Sequence, residues 1–305
     1  MEEAQVSRTS LATAYIRGYH AGHDTPKIFD DFLAHGFLTE VERALVEQSL
    51  TGSLKLIDPA LAASCPDMAS ALAAYMRVGA GPPITLSRGR YVEDTLGKAV
   101  GQGLKQYVIL GAGMDTFAFR RPDMSERLQV FEVDHPATQT FKRQRLVDIG
   151  WEYPAQLHFV SVDFRRDQLA DALMRSSYDP LAPGFFSWLG VTYYLSREAV
   201  FTTLCAIAGI APPGSTVIFD YLDTDAFVLQ KAAKNVRVMM ETVQRLGEPM
   251  MTGFDPDTLA ADLAAIGLDL HENLSPGDIE ERYYQGRIDG YHACEHVHLA
   301  KAVVT

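Results

Sequence analysis

The stretch QYVILGAGMDTFAFR, Gln106 to Arg120, limits what this chain can fold into more than any other. Val108, Ile109 and Leu110 form a continuous apolar run without polar alternation, which suits a strand buried on both faces in the centre of a parallel sheet. The run stops at Gly111-Ala112-Gly113. Glycine is needed where backbone approaches a ligand closely or takes positive φ, and Asp115 with Thr116 offers capping oxygens to a following helix. Strand, glycine turn and helix in that order read as a nucleotide-binding turn, with Gly111 and Gly113 as cofactor contacts.

A second strand, Leu128 to Asp134, carries Glu132 and Asp134 about 20 residues beyond the glycines. That is the separation at which a β-α-β unit delivers a carboxylate to a ribose hydroxyl pair. Asp134 is the candidate, and Glu132 is the alternative. A dinucleotide turn has glycine at the sixth position of GxGxxG; here Thr116 stands there, which argues against NAD.

LGAGMDTFAFR at 110–120, FEVDHP at 131–136 and WLGVTYYL at 188–195, with IFDDFLAHGFL at 28–38 and SRGRYVEDTL at 87–96, together resemble the leucine carboxyl methyltransferase family. These are class I S-adenosylmethionine-dependent enzymes with bacterial and polyketide-tailoring members. The resemblance implies a Rossmann-like seven-stranded methyltransferase sheet, S-adenosyl-L-methionine as methyl donor and S-adenosyl-L-homocysteine as product. It implies O-methylation but does not identify the acceptor, because the family spans protein and small-molecule substrates; the acceptor expected here is the carboxylate of a small natural-product-type molecule. Arg88 looks like the family arginine that binds near the donor's methionine carboxylate, with Arg90 as the alternative two residues on. Asp163 and Phe164 resemble the family's adenine contact. Tyr194 looks like the family tyrosine near the acceptor carboxylate, and Tyr193 is the adjacent candidate. The chain departs from the pattern at Leu189, where members usually carry glutamate, and at Ile109, where most class I methyltransferases carry an acid.

The formal charge of −12, from 27 basic and 39 acidic residues, speaks against a nucleic-acid partner. MEEAQVSRTS lacks the basic and apolar regions of a leader peptide, and no apolar run approaches the roughly 20 residues of a membrane helix, so a cytoplasmic location without membrane partners is expected. Cys65, Cys205 and Cys294 include no CxxC and read as free thiols.

Helical spacing at Ala12–Tyr19, Ile28–Ala34, Glu40–Ser49 and Asp67–Arg77, with no strand, predicts a helical cap over residues 1–83 that packs on the ligand edge of a core over 84–305. Gly79 to Pro83 reads as the breaker between them, followed by a helix from about Tyr91 to Val100. Beyond the second strand the pattern predicts a helix over Pro136–Asp148 with Lys142, Arg143 and Arg145 on a solvated face. Strands follow over Leu157–Val162, Phe185–Val191 and Thr216–Tyr221, a long helix over Phe227–Leu246, a helix over Pro256–Ile266, and last strands at Leu268–Glu272 and Val297–Val304. This alternation makes a doubly wound α/β sheet. Met239, Met240, Met250 and Met251 read either as core or as an adaptable acceptor wall. His292, Cys294, His296 and His298 alternate as on one strand face, where four ligands would span about 20 Å, too long for one ion, so no metal site is assigned.

A carboxylate, with a reference pKa of about 4, is a ready nucleophile at neutral pH, whereas a phenol near 10 needs a base. No histidine adjoins WLGVTYYL, so a phenol or hydroxyl acceptor would require a cap residue such as His20 or His23. An NAD-binding oxidoreductase and a cofactor-binding protein without catalysis are the readings from other classes.

Overall fold

A computed structural model describes residues 7–164 and 166–305; the start of the MEEAQVSRTS segment lies outside them. The chain opens with α1 (Arg8–His23), α2 (Glu40–Ile57), α3 (Pro59–Ser64), α4 (Met68–Val78) and α5 (Gly81–Gly101). Strand β1 (Gln106–Leu110) leads through the one-turn helices α6 (Phe117–Arg120) and α7 (Pro122–Ser125) to β2 (Gln129–Asp134). The alternation continues with α8 (Pro136–Asp148), β3 (Leu157–Ser161), α9 (Leu169–Met174), β4 (Gly184–Trp188), α10 (Arg197–Ile210) and β5 (Thr216–Leu222). Then come α11 (Lys234–Arg245), α12 (Leu259–Ala264), β6 (Leu268–Leu274), the single turn α13 (Pro276–Ile279) and β7 (Val297–Val304).

Among the described residues seven strands make one sheet in the order β3-β2-β1-β4-β5-β7-β6. The strands from β3 to β5 pair in parallel, and β7 runs antiparallel between β5 and β6. All five residues of β1 are buried, as the unbroken apolar run requires. Tyr107 and Ile109 join the core shared with the cap helices and α5, while Val108 and Leu110 join the core under α9, α10 and α12. Each fully buried aliphatic side chain of this kind contributes roughly 1.5–3 kcal/mol, so neither layer can be shed without unfolding the sheet. The order of strands reverses between β1 and β4, and a crevice therefore opens at their carboxyl ends. The register pairs Leu110 with both Val133 and Trp188, which sets Gly111, Asp134 and Leu189 side by side at that crevice.

Several predicted boundaries are corrected. Residues 28–34 are not helical: the Ile28 amide donates to His20 Nε2 at 2.7 Å, and the chain forms only a short 3-10 turn at Ala34–Phe37. The break expected over Gly79 to Pro83 is confined to Gly79 and Ala80, because α4 ends at Val78 and α5 begins at Gly81. Pro82 and Pro83 sit in its first turn, where no intrahelical bond needs their missing N–H. The helix expected from Phe227 begins only at Lys234, since Asp223 caps a separate 3-10 turn over Thr224–Phe227. The helix expected over 256–266 is confined to Leu259–Ala264.

Lys142 and Arg145 do not lie on a solvated face. Lys142 is buried against Glu132, 2.5 Å away, and Arg145 reaches Glu42 of α2 at 2.8 Å. The histidine alternation is not a strand face either, because β7 starts at Val297 and His296 has a left-handed φ of 70°. His296 and His298 turn to Asp223, whereas His292 pairs with Glu280 and Cys294 is buried elsewhere. No helix among the described residues is long and apolar enough to cross a membrane.

Candidate active site

The crevice at the carboxyl ends of β1, β2 and β4 deepens into a cavity of about 400 Å³. Its floor is the glycine turn. Gly111 has φ 66°, and its N–H, with that of Ala112, donates to Val133 O. A Cβ at Gly111 would stand 2.3 Å from Val191 Cγ2, so a larger residue would collide with the loop after β4. The Gly113 amide donates to Asp134 Oδ2 at 2.5 Å, and the His135 amide to Asp134 Oδ1 at 2.6 Å. Each carboxylate oxygen keeps further acceptor capacity toward the cavity that Asp134 lines, which is what a ribose diol needs. Burial raises the Asp134 pKa above the ordinary range, against the pull of those two amides. Glu132 points the other way. It is buried against α8, does not line the cavity, and is pushed up to about 7 by burial despite Lys142.

At the end of β3, Asp163 and Phe164 line the same cavity. The Asp163 amide donates to Asp167 Oδ2 at 2.8 Å, and the Phe164 ring packs 5.8 Å from that of Trp188. The geometry thus brings Gly111, Gly113, Asp134, Asp163 and Phe164 to one wall.

Arg88, on α5, lines the cavity, whereas Arg90 lies on the surface and pairs with Asp94. Arg88 Nη1 donates to Asp220 Oδ2 and to the Tyr193 hydroxyl, both at 2.9 Å. Burial alone lowers its pKa, but Tyr193 and Asp220 outweigh that and hold it above the ordinary arginine value. Gly190, with φ 74°, lets the guanidinium slide beneath the loop: a Cβ there would be 2.5 Å from Arg88 Nη2. The loop is what ends β4 at Trp188 rather than at the predicted Val191, since the Gly190 amide leaves the ladder to donate to Asp220 Oδ1 at 2.6 Å. Tyr193 is buried with its hydroxyl in this cluster, while Tyr194 is part-exposed and lines the cavity. Burial, then Tyr193 and Glu248, hold the Tyr194 phenol well above its usual pKa, and the Thr9 side chain hydrogen-bonds to it. Leu189 and Ile109 also line the cavity, as apolar wall.

Sequence reasoning missed three members. Asp220 is fully buried in β5, and its signal was a carboxylate inside the apolar strand TVIFDYL. Arg17 and Asp31 pair at 2.8 Å. Arg17 Nη2 also donates to Met114 O, and Thr116 Oγ1 to Asp31 Oδ1, which ties the cap to the glycine turn. Further lining comes from Ile16, Leu50 and Tyr75 of the helices before α5 and from Met239, Met250 and Met251 in and after α11; Met239 and Met250, with Met240, also pack on the cluster around Leu222 and Val236.

A glycine cradle with no room for Cβ, an acid at the end of β2 and an acid plus aromatic ring at the end of β3 fit an adenosyl ligand. The comparisons agree. The family model described as leucine carboxyl methyltransferase matches residues 10–208. YktD of Bacillus subtilis, provisionally named an S-adenosyl-L-methionine-dependent methyltransferase, is 36% identical over 303 residues, 99% of each chain. A Parafrankia protein with the same provisional name is 30% identical over 233 residues, 76% of this chain and 68% of its own. The crystal structure of a duf574 family protein from Streptomyces avermitilis has a TM-score of 0.56 at 14% identity, covering 96% of this chain and 97% of its own, and so shares the fold. These matches point to methyl transfer and give the nicotinamide alternative no support. The chain belongs to the leucine carboxyl methyltransferase family and is an S-adenosyl-L-methionine-dependent methyltransferase.

Proposed function

We propose that this protein methylates a carboxylate oxygen of a small, largely apolar molecule. The observation that carries the reading is the histidine distribution: among the described residues the imidazole lining the cavity is His135, beside Asp134 and Asp163 on the adenosyl wall, and none of them faces the acceptor half. His20 accepts from the Ile28 amide through Nε2 and bonds Asp24 through Nδ1, and His23 bonds Tyr19 O; neither lines the cavity. The cap base that a phenol acceptor would need is therefore not supplied by either.

S-Adenosylmethionine, when bound, would supply a methyl carbon on a sulfonium sulfur, ready to form a bond to oxygen as its bond to sulfur breaks and a neutral thioether leaves. The protein's task is placement and exclusion of water, and orientation alone can lower a barrier by roughly 7–11 kcal/mol in favourable cases. In this reading Asp134 takes the ribose hydroxyls, Asp163 and Phe164 the adenine, and Arg88, through Nε and Nη2, the methionine carboxylate. Tyr194, its proton retained by burial, orients the acceptor anion, and Tyr193 holds Arg88 in place. The helical segment before α5 and the methionine wall after it shape the acceptor half, so residues 1–83 act as the acceptor-selecting cap and 84–305 as the core.

Glu248 favours a second reading, a hydroxyl acceptor with a carboxylate base. It lines the cavity near Tyr194, accepts from the Thr9 amide at 3.3 Å, and has no basic partner among the described residues. Product analysis with acids and phenols of matched size separates the two. A methyl ester supports carboxylate methylation; an aryl ether, formed at a rate that Glu248→Gln abolishes, rejects it.

A further inference from the structure

Asp220 lies outside every motif above, yet it joins three parts of the site. It is fully buried in β5 and fastens α5 through Arg88 Nη1 at 2.9 Å and the loop after β4 through the Gly190 amide at 2.6 Å. Its main-chain oxygen also accepts from Thr192 Oγ1 at 2.6 Å. The Tyr193 hydroxyl sits between the charges, accepting from Arg88 Nη1 at 2.9 Å and 3.5 Å from Asp220 Oδ2. Both protons of Nη1 are thereby committed, one to each partner. Nε and Nη2, which have no partner among the described residues, are the donors Arg88 keeps on a cavity-lining side chain. A guanidinium is a rigid planar fork, so fixing one nitrogen fixes the direction of the other two.

We propose that Asp220 is the positioning residue that aims Arg88 at the carboxylate end of the methyl donor. The proposal rests on the reading of Arg88 given above. A merely structural strut in β5 would affect every ligand of the cavity alike. A residue acting through Arg88 affects only ligands that carry the amino-acid tail.

The test compares two ligands by calorimetry. S-Adenosylhomocysteine has the tail; 5′-methylthioadenosine keeps the adenosine and sulfur and lacks it. In Asp220→Asn the amide oxygen still accepts from Gly190 while the amide nitrogen opposes Arg88. Binding of S-adenosylhomocysteine is expected to weaken about ten- to a hundredfold, the range for a misaligned hydrogen bond to a charged group, with methylthioadenosine unchanged within about twofold. Arg88→Ala is expected to give the same selective loss, and the double variant no more than Arg88→Ala alone. Equal weakening of both ligands in Asp220→Asn, or of neither, overturns the proposal. If Arg88→Ala still shows the selective loss, the reading of Arg88 survives that failure; if Arg88→Ala too leaves the preference between ligands as it was, both fall. Tyr193→Phe strands no charge and tests the same cluster should Asp220→Asn fail to fold. A smaller loss of the same selectivity is expected, and an unselective or absent one counts against the proposal.

Discussion

The Gly113 amide donates to the Asp134 carboxylate at 2.5 Å, so the turn after β1 and the end of β2 form one unit. The bond holds the acid in place before any ligand arrives, and preorganisation of this kind lowers the cost of binding. Asp134→Ala removes both that bond and the acceptor proposed for the ribose hydroxyls. Calorimetry is expected to show S-adenosylhomocysteine bound more weakly by about 1–3 kcal/mol, the range for hydrogen bonds to a charged group. An unchanged dissociation constant removes Asp134 from the cofactor site.

Gly111 faces Val191 across the same turn, and the contact makes a paired prediction. Gly111→Ala places a Cβ 2.3 Å from Val191 Cγ2 and imposes the left-handed backbone penalty of roughly 1–2 kcal/mol. Loss of cofactor binding is expected to exceed the loss of stability, because the loop after β4 must move. Val191→Ala in the same chain removes the clashing methyl, leaving the Cβ at 3.6 Å, and is expected to restore part of the affinity but not the backbone term. Affinities and melting temperatures of the wild type and both variants decide it.

The features read correctly from sequence are local ones. An apolar run fixes β1 because both faces of that strand are covered, and the acid at 134 follows from the length of one β-α-β unit. Asp220 and Lys142 were opaque for the opposite reason. Arg88 and Asp220 are 132 residues apart and meet only because β4 pairs with β5 beneath α5. Lys142 belongs to a helix whose composition suggests a wet face, and only the packing of α8 against the turn at Ala34–Phe37 shows that it is covered. The missing helix at 28–34 is a case of tertiary override: Asp31 serves Arg17 and Thr116 there, and the backbone follows the side chain's partners.

Glu132 and Lys142 carry a prediction on stability against pH. Burial pushes the Glu132 pKa up to about 7 from an ordinary 4.5. An acid whose folded pKa is raised binds more protons folded than unfolded between those values. Its contribution to stability is therefore greatest below the unfolded pKa and is lost as pH rises through the folded one, with a slope of at most about 1.4 kcal/mol per pH unit. The measurable quantity is the unfolding free energy of the wild type minus that of Glu132→Gln, which is expected to fall between about pH 4.5 and 7 and level off above. Lys142→Met, which strands the acid, is expected to cost about 3–5 kcal/mol at neutral pH and less in acid, and the double variant to recover most of it. A difference that is flat with pH contradicts the assignment.

Tyr194 offers the test of the acceptor's chemistry. Its phenol lines the cavity and is held well above its usual pKa by burial, so it serves as a donor across the accessible pH range. Tyr194→Phe keeps the ring and its packing 4.9 Å from Tyr193 while removing the hydroxyl. If that hydroxyl orients an acceptor carboxylate, single-turnover rate is expected to fall about 10- to 150-fold, equivalent to one hydrogen bond to a charged group. The affinity for S-adenosylhomocysteine should hold, because the residue contributes nothing at the adenosyl wall. The rate on a carboxylate should also be flat between about pH 6 and 8, since that acceptor is already ionised there. A hydroxyl acceptor requires instead a rate that climbs with pH through the titration of a base and collapses in Glu248→Gln. Rates measured across that range for the wild type and both variants, with the product identified as ester or ether, choose between an anion that Tyr194 orients and a proton that Glu248 removes.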